Sequence, residues 1–147
     1  MIALGETDDF AHDGRYDQYL TSAKRSDAFI RDLWQTIQST SGYQNNTNLL
    51  ITTDHGRGIH RDDWQHHASV KAVKGYLKSL AKFQLGIVGA EHIWLAAIGP
   101  DIQSGGLIKT DKELYQKQIA ATALTLLNES VTDFNPQAAS PIMEIVK

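Results

Sequence analysis

Apolar positions recur along this chain in two periods. Tyr16, Leu20, Ala23, Phe29, Ile30, Leu33, Trp34 and Ile37 fall at helical spacing, with Lys24, Arg25, Arg31 and Asp32 mostly between them. That pattern predicts a long amphipathic helix over Tyr16 to Ser39. Val70, Val73, Leu77 and Leu80 repeat it over Ser69 to Phe83, where Lys71, Lys74, Lys78 and Lys82 form a solvated basic stripe. A third helix, capped by Asp111, carries Leu114, Ile119, Ala120, Ala123, Leu124, Leu126 and Leu127. Three short apolar runs read as buried strands instead: Met1 to Gly5, Leu49 to Thr53, and Ile93 to Ile98, the last closed by Gly99-Pro100. Asp13-Gly14 and Ser104-Gly105-Gly106 are turn signals. The polar stretch Ser39 to Asn48 and the His-, Arg- and Asp-rich stretch Gly56 to His67 read as loops, as does the tail from Asn135. Strand, helix, strand, helix, strand, helix is the order of an α/β fold with helices on the faces of a mostly parallel sheet.

Composition narrows the function classes. The 147 residues are 41% hydrophobic and 21% charged with a formal net charge of -3, ordinary values for a single globular α/β domain over residues 1–147. No basic footprint points to nucleic acid. No apolar run approaches the roughly 20 residues of a membrane span, and Met1 to Glu6 lacks the pattern of a signal peptide. The absence of cysteine excludes disulfides and thiolate metal sites and fits a cytoplasmic protein. A chain that starts directly on a strand is expected to be the carboxyl-terminal part of something larger.

The chemistry gathers at two predicted strand ends. Leu49-Leu50-Ile51-Thr52-Thr53 runs into Asp54-His55-Gly56, and Met1-Ile2-Ala3-Leu4-Gly5 runs into a stretch holding Asp8 and, four residues on, His12. Open α/β sheets place ligands at the carboxyl ends of their strands. Asp8 and His12 share one side if the segment makes a helical turn. Either motif alone also reads as a solvated turn, but two carboxylate–imidazole pairs at successive strand ends point to a metal site. With no thiolates, its ligands must be His nitrogen and carboxylate oxygen, a set that zinc accepts.

These motifs resemble the alkaline phosphatase superfamily, which embraces phosphatases, nucleotide pyrophosphatases/phosphodiesterases, sulfatases and cofactor-independent phosphomutases. Asp8-x-x-x-His12 resembles its first motif, with Ala11 where glycine usually precedes the histidine. Thr53-Asp54-His55-Gly56 resembles its most specific motif, and the strand ending in Gly99-Pro100 resembles the one that follows its last ligand. The resemblance spans Asp8 to Pro100. It implies a three-layer αβα fold and two divalent metal ions, zinc or manganese. Asp8, His12 and a third histidine would hold one metal, and Asp54 with His55 the other. Trp64-Gln65-His66-His67 is similar to a Trp-x-x-His stretch in some members, so His67 is the preferred third ligand and His92 the second choice. Ser69 to Gly86 then reads as a helical insertion, and His60 and His66 as exposed loop residues. Arg57 is a candidate contact for an anionic substrate, or a solvated loop arginine.

The resemblance also implies what this chain does not contain. The family's Ser or Thr nucleophile and a further metal-ligating Asp belong to a preceding portion, so no catalytic nucleophile is assigned here. The expected function is a metal-dependent hydrolase domain acting on a small phosphate mono- or diester, weak or inactive as this chain alone. A phosphomutase or a sulfatase of the same superfamily is the enzymatic alternative. A non-catalytic α/β module with a relic metal site is the rival from another class. An unpaired sheet edge would favour a homodimer.

Overall fold

A computed structural model describes residues 1–147. The chain packs as two compact units, one of residues 1–37 and 53–93, the other of residues 38–52 and 94–147.

In the first unit, Met1 to Gly5 forms no strand; Met1, Ile2 and Leu4 lie exposed. The chain goes directly into helix α1, Glu6–His12. Glu6, Asp8 and Asp9 in its first turn and His12 in its last match the helix dipole. Gly14 stops it. At φ +71° this residue adopts the left-handed conformation that glycine tolerates, its N–H donates to Ala11 O at 2.9 Å, and Arg15 N–H donates to Phe10 O at 2.9 Å. That pair of bonds is a Schellman closure.

Helix α2 runs Tyr16–Ser39, the range its periodicity predicts. Tyr16 and Tyr19 at its start meet Trp64 edge-on, with ring centroids 5.2 and 6.0 Å away. The expected helix over Ser69 to Phe83 is shorter. Helix α3 covers Val70–Gly75, and a 3-10 turn follows at Lys78–Leu80. Gly75 is a poor helix former at the point where the helix ends. The residues beyond it turn inward, so that Leu77, Leu80 and Phe83 pack against a core of Ala68, Val73 and Ile87. Residues 69–86, read from sequence as an insertion, therefore supply much of this unit's apolar core.

Ser69 begins α3 by accepting the Ala72 N–H on its side-chain oxygen at 3.2 Å. Ser69→Ala is expected to cost about 1 kcal/mol of stability through the lost cap, read as a lower urea midpoint with an unchanged slope.

The second unit holds the only sheet. Strand β1, Leu49–Thr52, pairs with strand β2, Leu95–Ile98, in the register Leu49↔Ile98 to Thr52↔Leu95. The pairing is antiparallel, which overturns the expected three-layer αβα arrangement with a mostly parallel sheet. A single helical crossover returns a chain to a parallel neighbour. Here residues 53–93 make irregular loops and short helices, and the chain comes back in the opposite sense. With Met1 to Gly5 out of the sheet as well, two strands remain of the three expected.

Beyond β2, Asp101 N–H donates to Asn48 Oδ1 at 3.1 Å and Asn48 Nδ2 donates to Asp101 Oδ2 at 2.9 Å. Helix α4, Ile119–Leu126, starts later than its expected Asp111 cap. It follows a 3-10 turn over Gln116–Gln118, whose Gln118 side chain accepts the Tyr115 N–H. Buried Thr122 donates to Gln118 O and accepts from Ile142 N–H, both at 2.8 Å. Helix α5, Val131–Phe134, is capped by Ser130. No helix is long and apolar enough to cross a membrane.

Candidate metal centre

The first unit gathers four of the residues that the sequence singles out. Asp8 and His12 occupy successive turns of α1, so the i,i+4 spacing sets both on one face. His55 arrives from the loop that follows Thr53, and His67 from the end of the His-rich stretch. One atom is the hub. Asp8 Oδ1 lies 3.4 Å from His67 Nε2, 3.6 Å from His55 Nε2 and 3.6 Å from His12 Nε2. His12 Nε2 and His67 Nε2 are 3.1 Å apart. The His55 and His67 rings stack with centroids 3.5 Å apart and planes within 10°. Asp8, His55 and His67 each offer a ligand atom within 4.8 Å of the other two.

Backbone packing holds the His55 loop in place. Gly56 N–H donates to Ala90 O at 2.8 Å and Gly58 N–H to His66 O at 3.1 Å. A Cβ on Gly56 would run into the carbonyl oxygens of Gly89 and His92, and one on Gly58 into Asp63. Buried Asp63 accepts the His60 N–H at 2.7 Å and stiffens the same loop. His55 Nδ1 lies 2.9 Å from Gly56 O, an arrangement that turns Nε2 toward Asp8.

Arg57 is the residue whose role the sequence left most open. Its side chain is 13% exposed, too buried for a solvated loop arginine. Nη2 bonds to Asp8 Oδ1 and Nη1 donates to Gln65 O at 3.1 Å. The guanidinium therefore sits on the one carboxylate at the hub.

Burial pushes the His67 imidazole below its ordinary pKa. Neighbouring His55, His12 and Arg57 push the same way, and Asp8 opposes them. Burial, followed by His12 and Lys82, lowers His66 too. The direction at His67 favours the neutral ring, the form with a lone pair for a metal.

The remaining predicted residues lie apart. Asp54 is 86% exposed, with Oδ2 at 3.7 Å from His55 Nε2, at the edge of the group. His92 is 79% exposed and pairs with Glu91 at 3.8 Å, so His67 is the histidine brought to Asp8. His66 lies between the group and the apolar core, its ring centroid 6.3 Å from that of His12 and 6.2 Å from that of Phe83. No family model, curated protein or solved structure matches the chain.

Asp8, His55 and His67 could hold a metal ion, and His12 lies beside them. Four-coordinate zinc with bonds of about 2.0–2.1 Å keeps its ligand atoms about 3.3 Å apart, the edge of the tetrahedron. The separations around Asp8 Oδ1 and between His12 and His67 run from 3.1 to 3.6 Å. Imidazole and carboxylate are borderline-soft to hard donors that suit zinc and also accept manganese or iron.

A cation at this hub would share Asp8 Oδ1 with Arg57. Arg57→Gln removes that rival and its repulsion, and is expected to raise zinc affinity about tenfold. Isothermal titration of the two proteins decides it. An affinity that falls instead would mean that the guanidinium serves to hold Asp8 in place.

Proposed function

We propose that this chain is the metal-holding part of a phosphoester hydrolase. The observation that carries this reading is the convergence of His12, His55 and His67, from three stretches of sequence, on Asp8 Oδ1 at 3.4 to 3.6 Å. These residues belong to the motifs that resemble the alkaline phosphatase superfamily. Asp8, His12, His55 and His67 would hold one or two divalent ions, with Asp54 beside His55 on the exposed edge. When bound, such ions act as Lewis acids on a phosphoryl oxygen.

Arg57 contributes fixed positive charge. Tethered through Gln65, it faces the hub with a planar guanidinium that matches phosphoryl oxygens in geometry and sign. The groups bonded or ion-paired to Asp8 Oδ1 are imidazoles and the guanidinium, with no hydroxyl among them. That supports the further reading that the chain alone turns over slowly. The same observation favours the second reading, a site that binds metal without catalysis.

Equilibrium dialysis against zinc and manganese, followed by elemental analysis, tests the metal site. Hydrolysis of p-nitrophenyl phosphate and of its bis ester by the loaded chain then tests the chemistry. One or more tightly held ions with phosphoester cleavage above the rate of free metal is the expected result. Absence of binding would sink both readings, and tight binding with no cleavage, even on supplying a segment with the missing nucleophile, would leave only the second.

A further inference from the structure

We propose that the cleft beside His55 and His67 receives the organic part of the ester, and that this part is apolar and carries no second anionic group. The inference rests on the phosphoester reading above and adds the substrate class to it. The cleft has a volume of about 460 Å³, within the range of small-ligand sites. His55 and His67 are part of its lining, so the cleft adjoins the candidate metal centre through these two rings. Ala68, Val70, Leu85, Ile87, Val88 and Ala90 form most of the rest.

Two features make this a shaped wall instead of a stray gap. Ile87 N–H donates to Ala68 O at 2.8 Å, tying the 85–90 segment to the chain that carries His67. Gly86 and Gly89 take φ of +74° and +99°, and a Cβ on either would collide with backbone, Val70 N and Ala68 O for the first and Arg57 O for the second. Glycine at both places lets the segment pass close enough to bring Leu85 and Val88 beside the imidazoles. Leu85 and Val88 remain 79% and 43% exposed, apolar surface that a ligand would remove from water.

Charge sets the class. No lysine or arginine lines the cleft, and its one acidic group is Glu91. Ser69, the one hydroxyl there, is already engaged in capping α3. A second phosphate or carboxylate on the substrate would find no cation and one repelling carboxylate. An aryl or alkyl group matches the wall.

The test uses the zinc-loaded full chain with phenylphosphonate, methylphosphonate and 4-phosphonobenzoate, read by titration and by methyl NMR. Phenylphosphonate is expected to bind at least about tenfold more tightly than methylphosphonate. It should shift the Val70, Leu85 and Val88 methyl signals, and the added carboxylate of 4-phosphonobenzoate should erase the gain. Leu85→Asp, a change at an exposed side chain, should narrow the phenyl-over-methyl ratio to about twofold or less. Equal affinity for the phenyl and methyl compounds, or methyl shifts elsewhere, would overturn the cleft assignment while leaving the hydrolase reading intact. If neither phosphonate binds but benzyl alcohol still shifts those three residues, the hydrolase reading falls and the apolar cleft stands. No binding by any of these compounds overturns both.

Discussion

Asp8→Ala is expected to weaken zinc binding by more than about a hundredfold. Changing a group that only supports a ligand already costs about 10–100-fold in metal affinity, and Asp8 is the shared contact of three imidazoles. It is also the only carboxylate at the hub, so its loss leaves three imidazoles and a guanidinium around an incoming dication. Arg57 adds a structural cost. With 13% of its side chain exposed, it would keep Gln65 O and lose its anionic partner. Asp8 itself is 38% exposed, so water relieves part of that loss, leaving about 1 kcal/mol.

Asp54→Ala is the informative comparison. Its carboxylate lies out at the edge, near His55 and away from the hub. If the site holds two ions, Asp54→Ala should remove one equivalent and spare the other, while Asp8→Ala should disturb both. Dialysis with elemental analysis counts the ions, and circular dichroism shows that each variant has folded. Wild-type affinity in a folded Asp8→Ala protein would remove the basis of the metal assignment.

The parts that were legible in the sequence are those decided locally. The Tyr16–Ser39 helix follows from an apolar stripe that recurs over more than six turns, interrupted once at Ser26 and Asp27. The turn at Asp13-Gly14 follows from what glycine alone does easily. The pairing of Asp8 with His12 needs only the geometry of one helical turn. Strand direction was not legible, because apolar runs say that β1 and β2 exist and nothing about which way the chain re-enters. Met1 to Gly5 shows the limit of short apolar runs: four nonpolar residues with no partner strand remain exposed coil. Arg57 was ambiguous for a related reason. Its environment is made by Asp8, 49 positions away, and by Gln65, and no local pattern encodes either contact. The apolar cleft was not legible, since Val70, in a stretch that reads as a helix, comes to one cleft with Leu85 and Val88 only after α3 has ended and the chain has doubled back.

The glycine that follows His55 joins fold to site, and Gly56→Ala is expected to destabilise the first unit by about 2–4 kcal/mol. The cause is steric, because Gly56 does not take a left-handed φ. Its added methyl would occupy the space of the Gly89 and His92 carbonyl oxygens, which are backbone atoms and cannot rotate away. Nor can the loop retreat freely, since Gly56 N–H is bonded to Ala90 O at 2.8 Å. Relieving the clash means separating the 54–58 loop from the 87–92 segment, which moves His55 out of its stack on His67. Gly75→Ala is the control. Nothing lies within 4 Å of its Cβ position at the end of α3, and alanine there should be neutral or add about 0.5–1 kcal/mol. The glycine of Asp54-His55-Gly56 is thus explained by how closely a second backbone passes behind His55. Urea unfolding of the two variants checks this: Gly56→Ala should unfold at lower urea and bind zinc more weakly. An unchanged midpoint would mean that the 87–92 segment does not press on the loop, and the bracing of His55 would have to come from elsewhere.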